Sequence, residues 1–277
     1  SVSLGWNISE ENFLKDNDFV NSIKLRASYG QLGSDRVSGN PFPYIGSLDG
    51  EGVYSNNEET LESELLVGVA EGQLGNPFLK WETTSTGNIG LDVSLLGNKI
   101  SFNLDVFQKT TDDLLIQPET SGLTGVAGIG SRAPAINAGT VENSGIEFLI
   151  SYRDQFSDNF KFNTSFNFTS INNNVTYVGN LAGFEQGGGF GVGTGIITSR
   201  MEAGHSMGYF YGYKTNGIYQ NQGEIDVLNA DATSNENIYH TGAGVGDLRF
   251  VDTNGDGYIS EVDKTDIGDP IADITAG

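Results

Sequence analysis

The chain has 277 residues, 39 of them glycine and none cysteine, and its 36 Asp and Glu against 14 Lys and Arg give a formal charge of −22. So acidic a surface repels nucleic acid and anionic headgroups, which argues against a DNA or RNA partner and suits a secreted or surface-facing protein that meets cations. Without cysteine there is no disulfide framework or thiol chemistry, and without a run of roughly twenty apolar residues there is no transmembrane helix, although a barrel stays open.

Val2, Leu4 and Trp6 alternate with Ser3 and Gly5 as in a strand already under way, and the stretch from Pro270 leads into another. The chain therefore reads as a fragment of a longer protein, for which no signal peptide is expected. Ser9 is placed to cap one helical turn. Next, Ile23, Leu25, Ala27 and Tyr29 alternate with Lys24, Arg26 and Ser28. A charge facing lipid near mid-membrane costs about 2–4 kcal/mol, so the Lys24 and Arg26 parity is expected to face a lumen.

Over residues 32–79 the alternation disappears, as in a long loop. It returns in Ile89, Leu91, Val93 and Leu95, turns tightly at Leu96-Gly97-Asn98-Lys99, and resumes in Ile100, Phe102, Leu104 and Val106, the clearest hairpin of the chain. A second long loop covers 111–140. Ile146, Phe148, Ile150 and Tyr152 then alternate with polar partners, and a short polar connection leads to Phe160-Lys161-Phe162-Asn163-Thr164-Ser165-Phe166-Asn167-Phe168-Thr169. Its aromatic residues share one parity. Its length, about ten residues, suits a tilted membrane-spanning strand, whereas sandwich strands are usually about half as long.

Connections run short, long, short, long, short, long, which is how outer-membrane barrels separate periplasmic turns from extracellular loops. The fold expected is all-β: an antiparallel transmembrane β-barrel segment with short periplasmic turns and long extracellular loops. Residues 1–171 would be barrel strands, 172–270 a large extracellular region with folded structure of its own, and 271–277 the start of the next strand. About seven strands are too few for a closed barrel if the minimum is eight. The alternative is a soluble secreted β-sandwich, an adhesin or carbohydrate-binding module, in which Phe162, Phe166 and Phe168 would sit in a protein core.

The sharpest chemical motif is Asp252-Thr253-Asn254-Gly255-Asp256-Gly257-Tyr258-Ile259-Ser260-Glu261-Val262-Asp263. Asp252, Asn254 and Asp256 fall at loop positions one, three and five of an EF-hand-like Ca²⁺ loop, Gly257 at six, the Tyr258 carbonyl at seven and Asp263 at twelve. The closing residue is Asp where Glu is usual, and the preceding segment looks like a strand. The competing reading is an Asx-rich turn without metal. Mg²⁺ fits less well, since it prefers a smaller shell with retained waters.

Tyr209, Phe210, Tyr211 and Tyr213 pack among glycines and could form a ligand or partner contact, or a plain packed core or interfacial girdle. The glycine-rich run 187–195 lacks the strand-to-helix context and the Lys-Ser/Thr of a phosphate cradle. His205 and His240 lie far apart with no cysteine, which argues against zinc or a triad. Acidic pairs such as Asp112/Asp113 have no converging partners, so no enzyme is expected.

Several segments also look familiar. Ile23-Lys24-Leu25-Arg26-Ala27-Ser28-Tyr29-Gly30, Leu79-Lys80-Trp81-Glu82-Thr83-Thr84 running into Asn88-Ile89-Gly90-Leu91-Asp92, the stretch Asn137 to Glu147, and Met207 to Gln220 resemble the barrel of the SusC/RagA family of TonB-linked outer-membrane proteins of Bacteroidota. That resemblance implies a TonB-dependent importer of oligosaccharides or peptides. It further implies a plug domain inside the barrel, a SusD-like surface lipoprotein outside it, and energy from TonB, ExbB and ExbD. The chain would be part of the latter half of such a barrel, embedded in outer-membrane lipid.

Overall fold

The computed structural model describes residues 1–15, 17–34, 42–55, 65–71, 74–116, 134–180, 182–187, 197–232 and 238–277. In chain order the elements are β1 (Val2–Asn7), β2 (Val20–Ser34), β3 (Leu48–Ser55), β4 (Leu65–Glu71), β5 (Glu82–Leu95), β6 (Ile100–Asp112), β7 (Leu115–Ile116), β8 (Ile136–Asn137), β9 (Gly139–Ser157) and β10 (Phe160–Val178). There follow β11 (Phe184–Gln186), β12 (Ser199–Glu202), β13 (Tyr209–Tyr213), β14 (Thr215–Ile218), α1 (Gln222–Asp231), β15 (Leu248–Phe250), β16 (Lys264–Gly268) and β17 (Ile274–Ala276).

The chain divides into two compact units, Ser1–Gly183 with Ala272–Gly277, and Phe184–Ile271. In the first, one antiparallel sheet runs β1-β2-β5-β6-β9-β10-β17. Its register aligns the alternation of each strand with that of its neighbours. One row reads Ile23, Val93, Phe102, Ile150 and Phe166, and the next on the same face reads Trp6, Leu25, Leu91, Leu104, Phe148 and Phe168. A third reads Leu4, Ala27, Ile89, Val106, Ile146, Ser170 and Ile274. Because successive side chains leave opposite faces, the two rows between them are mostly polar: Lys24, Asp92, Asn103, Leu149 and Asn167 form one, and Arg26, Gly90, Asp105, Glu147 and Thr169 the other.

The apolar face is not a protein core. Phe162 is 42 % exposed, Phe166 47 % and Ile89 61 %, so the sandwich alternative, which needs these rings covered by a second sheet, does not describe this sheet. Within the sheet, Phe102 and Phe148 pack with ring centroids 5.8 Å apart. Toward the short turns, Tyr152 approaches Phe162 and Phe156 approaches Phe160, at 6.2 and 5.9 Å, an aromatic edge of the kind that borders a membrane band.

Several boundaries differ from the sequence reading. The connection over 32–79 contains the hairpin β3–β4, and β9 and β10 each run 19 residues, well past the apolar alternation. Residues Ile8–Glu10 make a 3-10 turn preceded by Asn7, with no side-chain cap, so Ser9 lies inside the turn and does not cap it. At the β5–β6 turn, Leu96, Gly97 and Asn98 all take positive φ, which the glycine and asparagine accept readily. Lys99 beside it pairs with Asp154 at 2.8 Å, tying the turn to β9.

The second unit has a sheet β11-β12-β13-β16, the pair β14-β15 and the helix α1. Asn221 caps α1 by accepting from the Glu224 N–H at 3.2 Å, and the helix buries Ile225. Tyr209 and Tyr219 are the largest buried side chains of this unit.

Candidate functional site

On the polar face of the large sheet, three strands bring charge together. The Arg26 guanidinium of β2 donates from Nε and Nη2 to the two oxygens of Asp92 on β5, at 2.7 and 2.9 Å, and again from Nη2 to Asp105 on β6 at 3.0 Å. Asn103 Nδ2 donates to Asp92 at 2.8 Å. Gly90 sits in register between Arg26 and Asp105, and only a missing side chain lets the guanidinium cross. Such a fork gives fixed geometry and a wet, charged wall. Arg26 thus lies with the polar parity, as the sequence pattern requires. Its partners Asp92 and Asp105 were not singled out from the sequence, although both share its parity and the hairpin register could have aligned them.

The acidic loop of the second unit is built from strand to 3-10 turn. After β15 the chain turns at Gly255 and Gly257, both at positive φ, and closes at Glu261–Asp263. Asp252, Asp256 and Asp263 bring one carboxylate oxygen each to within 4.8 Å of one another. Asp252 accepts from the Gly255 and Gly257 N–H groups at 2.6 and 2.8 Å. Asn254 and Asp256 bond each other, Asp256 Oδ1 accepting from Tyr258 N–H at 3.2 Å. Asp263 is fully buried and accepts from Thr253 N–H at 2.9 Å and Ser260 N–H at 2.7 Å. Burial pushes its carboxyl up, but the N–H groups of Ser260, Thr253 and Asn254 outweigh that and hold it below the usual carboxylate range.

Each carboxylate offers about four lone-pair sites, so these bonds leave acceptor capacity on all three. Oxygens at 2.3–2.6 Å from one Ca²⁺ stand at most about 5 Å apart, and the three carboxylate oxygens here lie within 4.8 Å of one another. Among the described residues no Lys or Arg forms a salt bridge with any of the three.

Tyr239, which the sequence did not mark, fastens this loop to α1. Its N–H donates to Asn229 Oδ1 at 2.9 Å, its carbonyl accepts from Ile259 N–H at 2.6 Å, and its hydroxyl donates to the Phe250 carbonyl at 3.2 Å. No spacing rule flags such a residue. Only the folded contacts do.

The aromatic run is mostly packing. Tyr209 is 2 % exposed, stacks on His205 with centroids 4.4 Å apart and donates its hydroxyl to Glu202 at 2.6 Å; it is core and not a contact surface. Phe210, Tyr211 and Tyr213 are half-buried. Tyr211 and Phe184 sandwich the Arg200 guanidinium, at 3.4 and 4.0 Å from the ring centroids. Tyr213 stacks on Phe250 at 4.8 Å and its hydroxyl donates to Glu261 at 3.2 Å. Burial, and then the Glu261 charge, raise the Tyr213 hydroxyl from its ordinary 10.0 to about 12. Of the glycine-rich run, 188–195 lies outside the described residues.

Known proteins similar to this chain agree with that architecture. The family model described as TonB dependent receptor-like, beta-barrel, matches residues 1–265. TonB-dependent receptor P39 of Formosa agariphila is 35 % identical over 303 aligned residues, which take in 100 % of this chain and 27 % of the relative. TonB-dependent receptor SusC of Bacteroides thetaiotaomicron is 30 % identical over 280, taking in 100 % of this chain and 25 % of the relative. The RagAB peptide transporter structure superposes with a TM-score of 0.65 at 18 % identity, over 99 % of this chain and 26 % of that one, a likeness of fold. The chain thus spans about a quarter of the length of these curated relatives. With its apolar rows open on one face and its charges gathered on the other, the chain belongs to the TonB-dependent receptor-like β-barrel family, whose members are outer-membrane receptors and not enzymes.

Proposed function

We propose that this chain forms part of the barrel wall of a TonB-dependent importer that carries oligosaccharides or peptides across the outer membrane. In this reading a SusD-like surface lipoprotein hands over the ligand, and TonB, ExbB and ExbD supply the energy through a plug inside the barrel. The observation that carries the reading is the two-faced sheet: exposed Ile89 and Phe166 suit lipid, while Arg26, Asp92 and Asp105 suit a wet path. In this reading the long connection between β10 and β17 is extracellular, as long connections are in outer-membrane barrels.

Ca²⁺ held by Asp252, Asn254, Asp256, the Tyr258 carbonyl and Asp263 then sets the shape of the loop beside β15 and β16. The clustering of three carboxylates without a basic counter-charge among the described residues supports it. Phe210, Tyr211 and Tyr213 are the aromatic residues left to meet ligand or partner, with Tyr209 behind them as packing.

The import reading is tested by deleting the gene for the full-length receptor and measuring growth on oligosaccharide or on peptide as sole carbon source. Loss on one class, restored by the intact gene and not by one lacking the TonB-contacting segment, supports it. Unchanged growth together with failure of any lipoprotein to co-purify with the tagged receptor would remove it.

A further inference from the structure

In the sheet β11-β12-β13-β16, Arg200 stands on β12 with a ring from each neighbouring strand against it, Phe184 of β11 and Tyr211 of β13. Its Cζ lies 4.0 Å from the first ring centroid and 3.4 Å from the second, so the planar guanidinium is held flat and its N–H groups point outward between the two aromatic faces.

This half-buried cation has no anion of its own. Among the described residues no carboxylate forms a salt bridge with it, whereas Arg249 of the same unit faces Glu224 at 3.7 Å and Lys264 pairs with Glu261. Glu202, on the same face of β12, takes the proton of the Tyr209 hydroxyl at 2.6 Å, and what Tyr209 turns to Arg200 is a neutral oxygen. Arg200 Nε is buried without a hydrogen-bond partner. Two ring faces return roughly 2 kcal/mol to a desolvated guanidinium, which is less than an unpaired buried charge costs. In a chain with 36 acidic residues against 14 basic ones, an arginine kept from all of them has its charge unspent.

We propose that Arg200 recognises a carboxylate on the imported ligand, whether that of a peptide or that of an acidic sugar. The inference deepens the import reading and rests on it for the source of the carboxylate. With Nε closed off, the edge that meets an incoming group is the Nη1 and Nη2 pair. The two oxygens of a carboxylate share one plane and reach that pair side by side within the gap between the rings. A sulfate or phosphate carries further oxygens above and below the plane, toward Phe184 and Tyr211. The rings also fix the fork before the ligand arrives and keep water off both of its faces, which strengthens the charge-assisted bonds.

The test uses the full-length receptor in detergent and measures binding of two matched pairs by calorimetry. One pair is a pentapeptide with a glutamate and a free C-terminus against the same peptide with glutamine and a C-terminal amide; the other is trigalacturonate against its methyl ester. In one pair or both, the acid is expected to bind wild type about tenfold tighter than its neutral counterpart, and the pair that shows this names the source. Arg200→Gln brings that ratio to about one and leaves the neutral member's affinity unchanged, which loss of structure would not do. Arg200→Lys keeps the charge without the fork, gives an intermediate ratio, and carries the test if the first variant does not fold. Equal binding of acid and neutral probes in both pairs, or a ratio retained in folded Arg200→Gln or Arg200→Lys, would overturn the site. So would an unchanged ratio with weaker co-purification of the surface lipoprotein from Arg200→Gln, which would assign the guanidinium to a carboxylate of that partner. Binding is read without transport, so the two ideas fail separately: normal growth after gene deletion with the acid preference intact removes import and keeps the site, and lost growth with no preference does the reverse.

Discussion

Arg26 passes directly over Gly90: a Cβ built on that glycine would stand 2.6 Å from Arg26 Nη2 and 2.5 Å from Asp105 Oδ1. The glycine is therefore there for the arginine, not for backbone freedom. Any side chain at 90 must push the guanidinium off Asp105. Gly90→Leu is expected to destabilise the folded receptor by about 1–3 kcal/mol, since two carboxylates lose their shared donor, whereas Arg26→Lys keeps the charge but not the fork. Urea unfolding in lipid vesicles checks the order: wild type most stable, then Arg26→Lys, then Gly90→Leu.

Tyr209 offers a second test, in the core of the other unit. Its hydroxyl donates to Glu202 at 2.6 Å from a side chain that is 2 % exposed, so Tyr209→Phe removes a bond and leaves the carboxylate short of a donor. A loss of about 1–3 kcal/mol is expected. Limited proteolysis of the folded receptor should show faster cleavage within 184–271, with the barrel strands unchanged.

The alkaline limit of that unit follows from Tyr213. Its hydroxyl ionises at about 12 in the folded chain against an ordinary 10.0, because burial and then Glu261 disfavour the phenolate. Above pH 10.0 the unfolded chain ionises first, so the stabilisation present below that value is lost as pH rises toward about 12. Tyrosinate absorbance of the receptor should climb late and together with unfolding of this unit, and Tyr213→Phe should flatten the loss.

The acidic loop makes a prediction that does not depend on import. Isothermal calorimetry of the intact receptor should show Ca²⁺ binding, reduced at least about tenfold in Asp256→Ala and less in Asn254→Ala, because a charged ligand contributes more than a neutral one. Mg²⁺ should compete weakly. Absence of Ca²⁺ heat in wild type, with Asp256→Ala equal to it, would return the loop to an Asx turn held by its own N–H groups.

Much of the sheet was legible because lipid on one side and water on the other impose strict alternation. Ile89 to Leu95 and Ile100 to Val106 could be paired from sequence, and their register is the observed one. Beyond the apolar rows the rule stops. Ser85, Thr110, Glu142 and Asn174 form an outer row, and Thr86, Lys109, Asn143 and Asn173 the inner row beside it, so both faces are polar and no alternation marks β9 and β10 as continuing. The hairpin β3–β4 was hidden for a related reason, since Asp49, Gly50, Glu51 and Gly52 interrupt any apolar period. In the second unit the acidic motif announced itself by spacing, but Tyr239 and the Arg200 sandwich are long-range contacts that leave no local signature.

The two faces of the sheet meet different solvents, lipid on the apolar rows and water on the charged ones. A nitroxide attached through Phe166→Cys, and separately through Thr169→Cys, in the full-length receptor reconstituted in vesicles, measures this by collision with oxygen and with a water-soluble nickel chelate. The Phe166 position is predicted to collide with oxygen and not with nickel, and the Thr169 position the reverse. A Phe166 label shielded from both, as inside a sealed protein core, would contradict it.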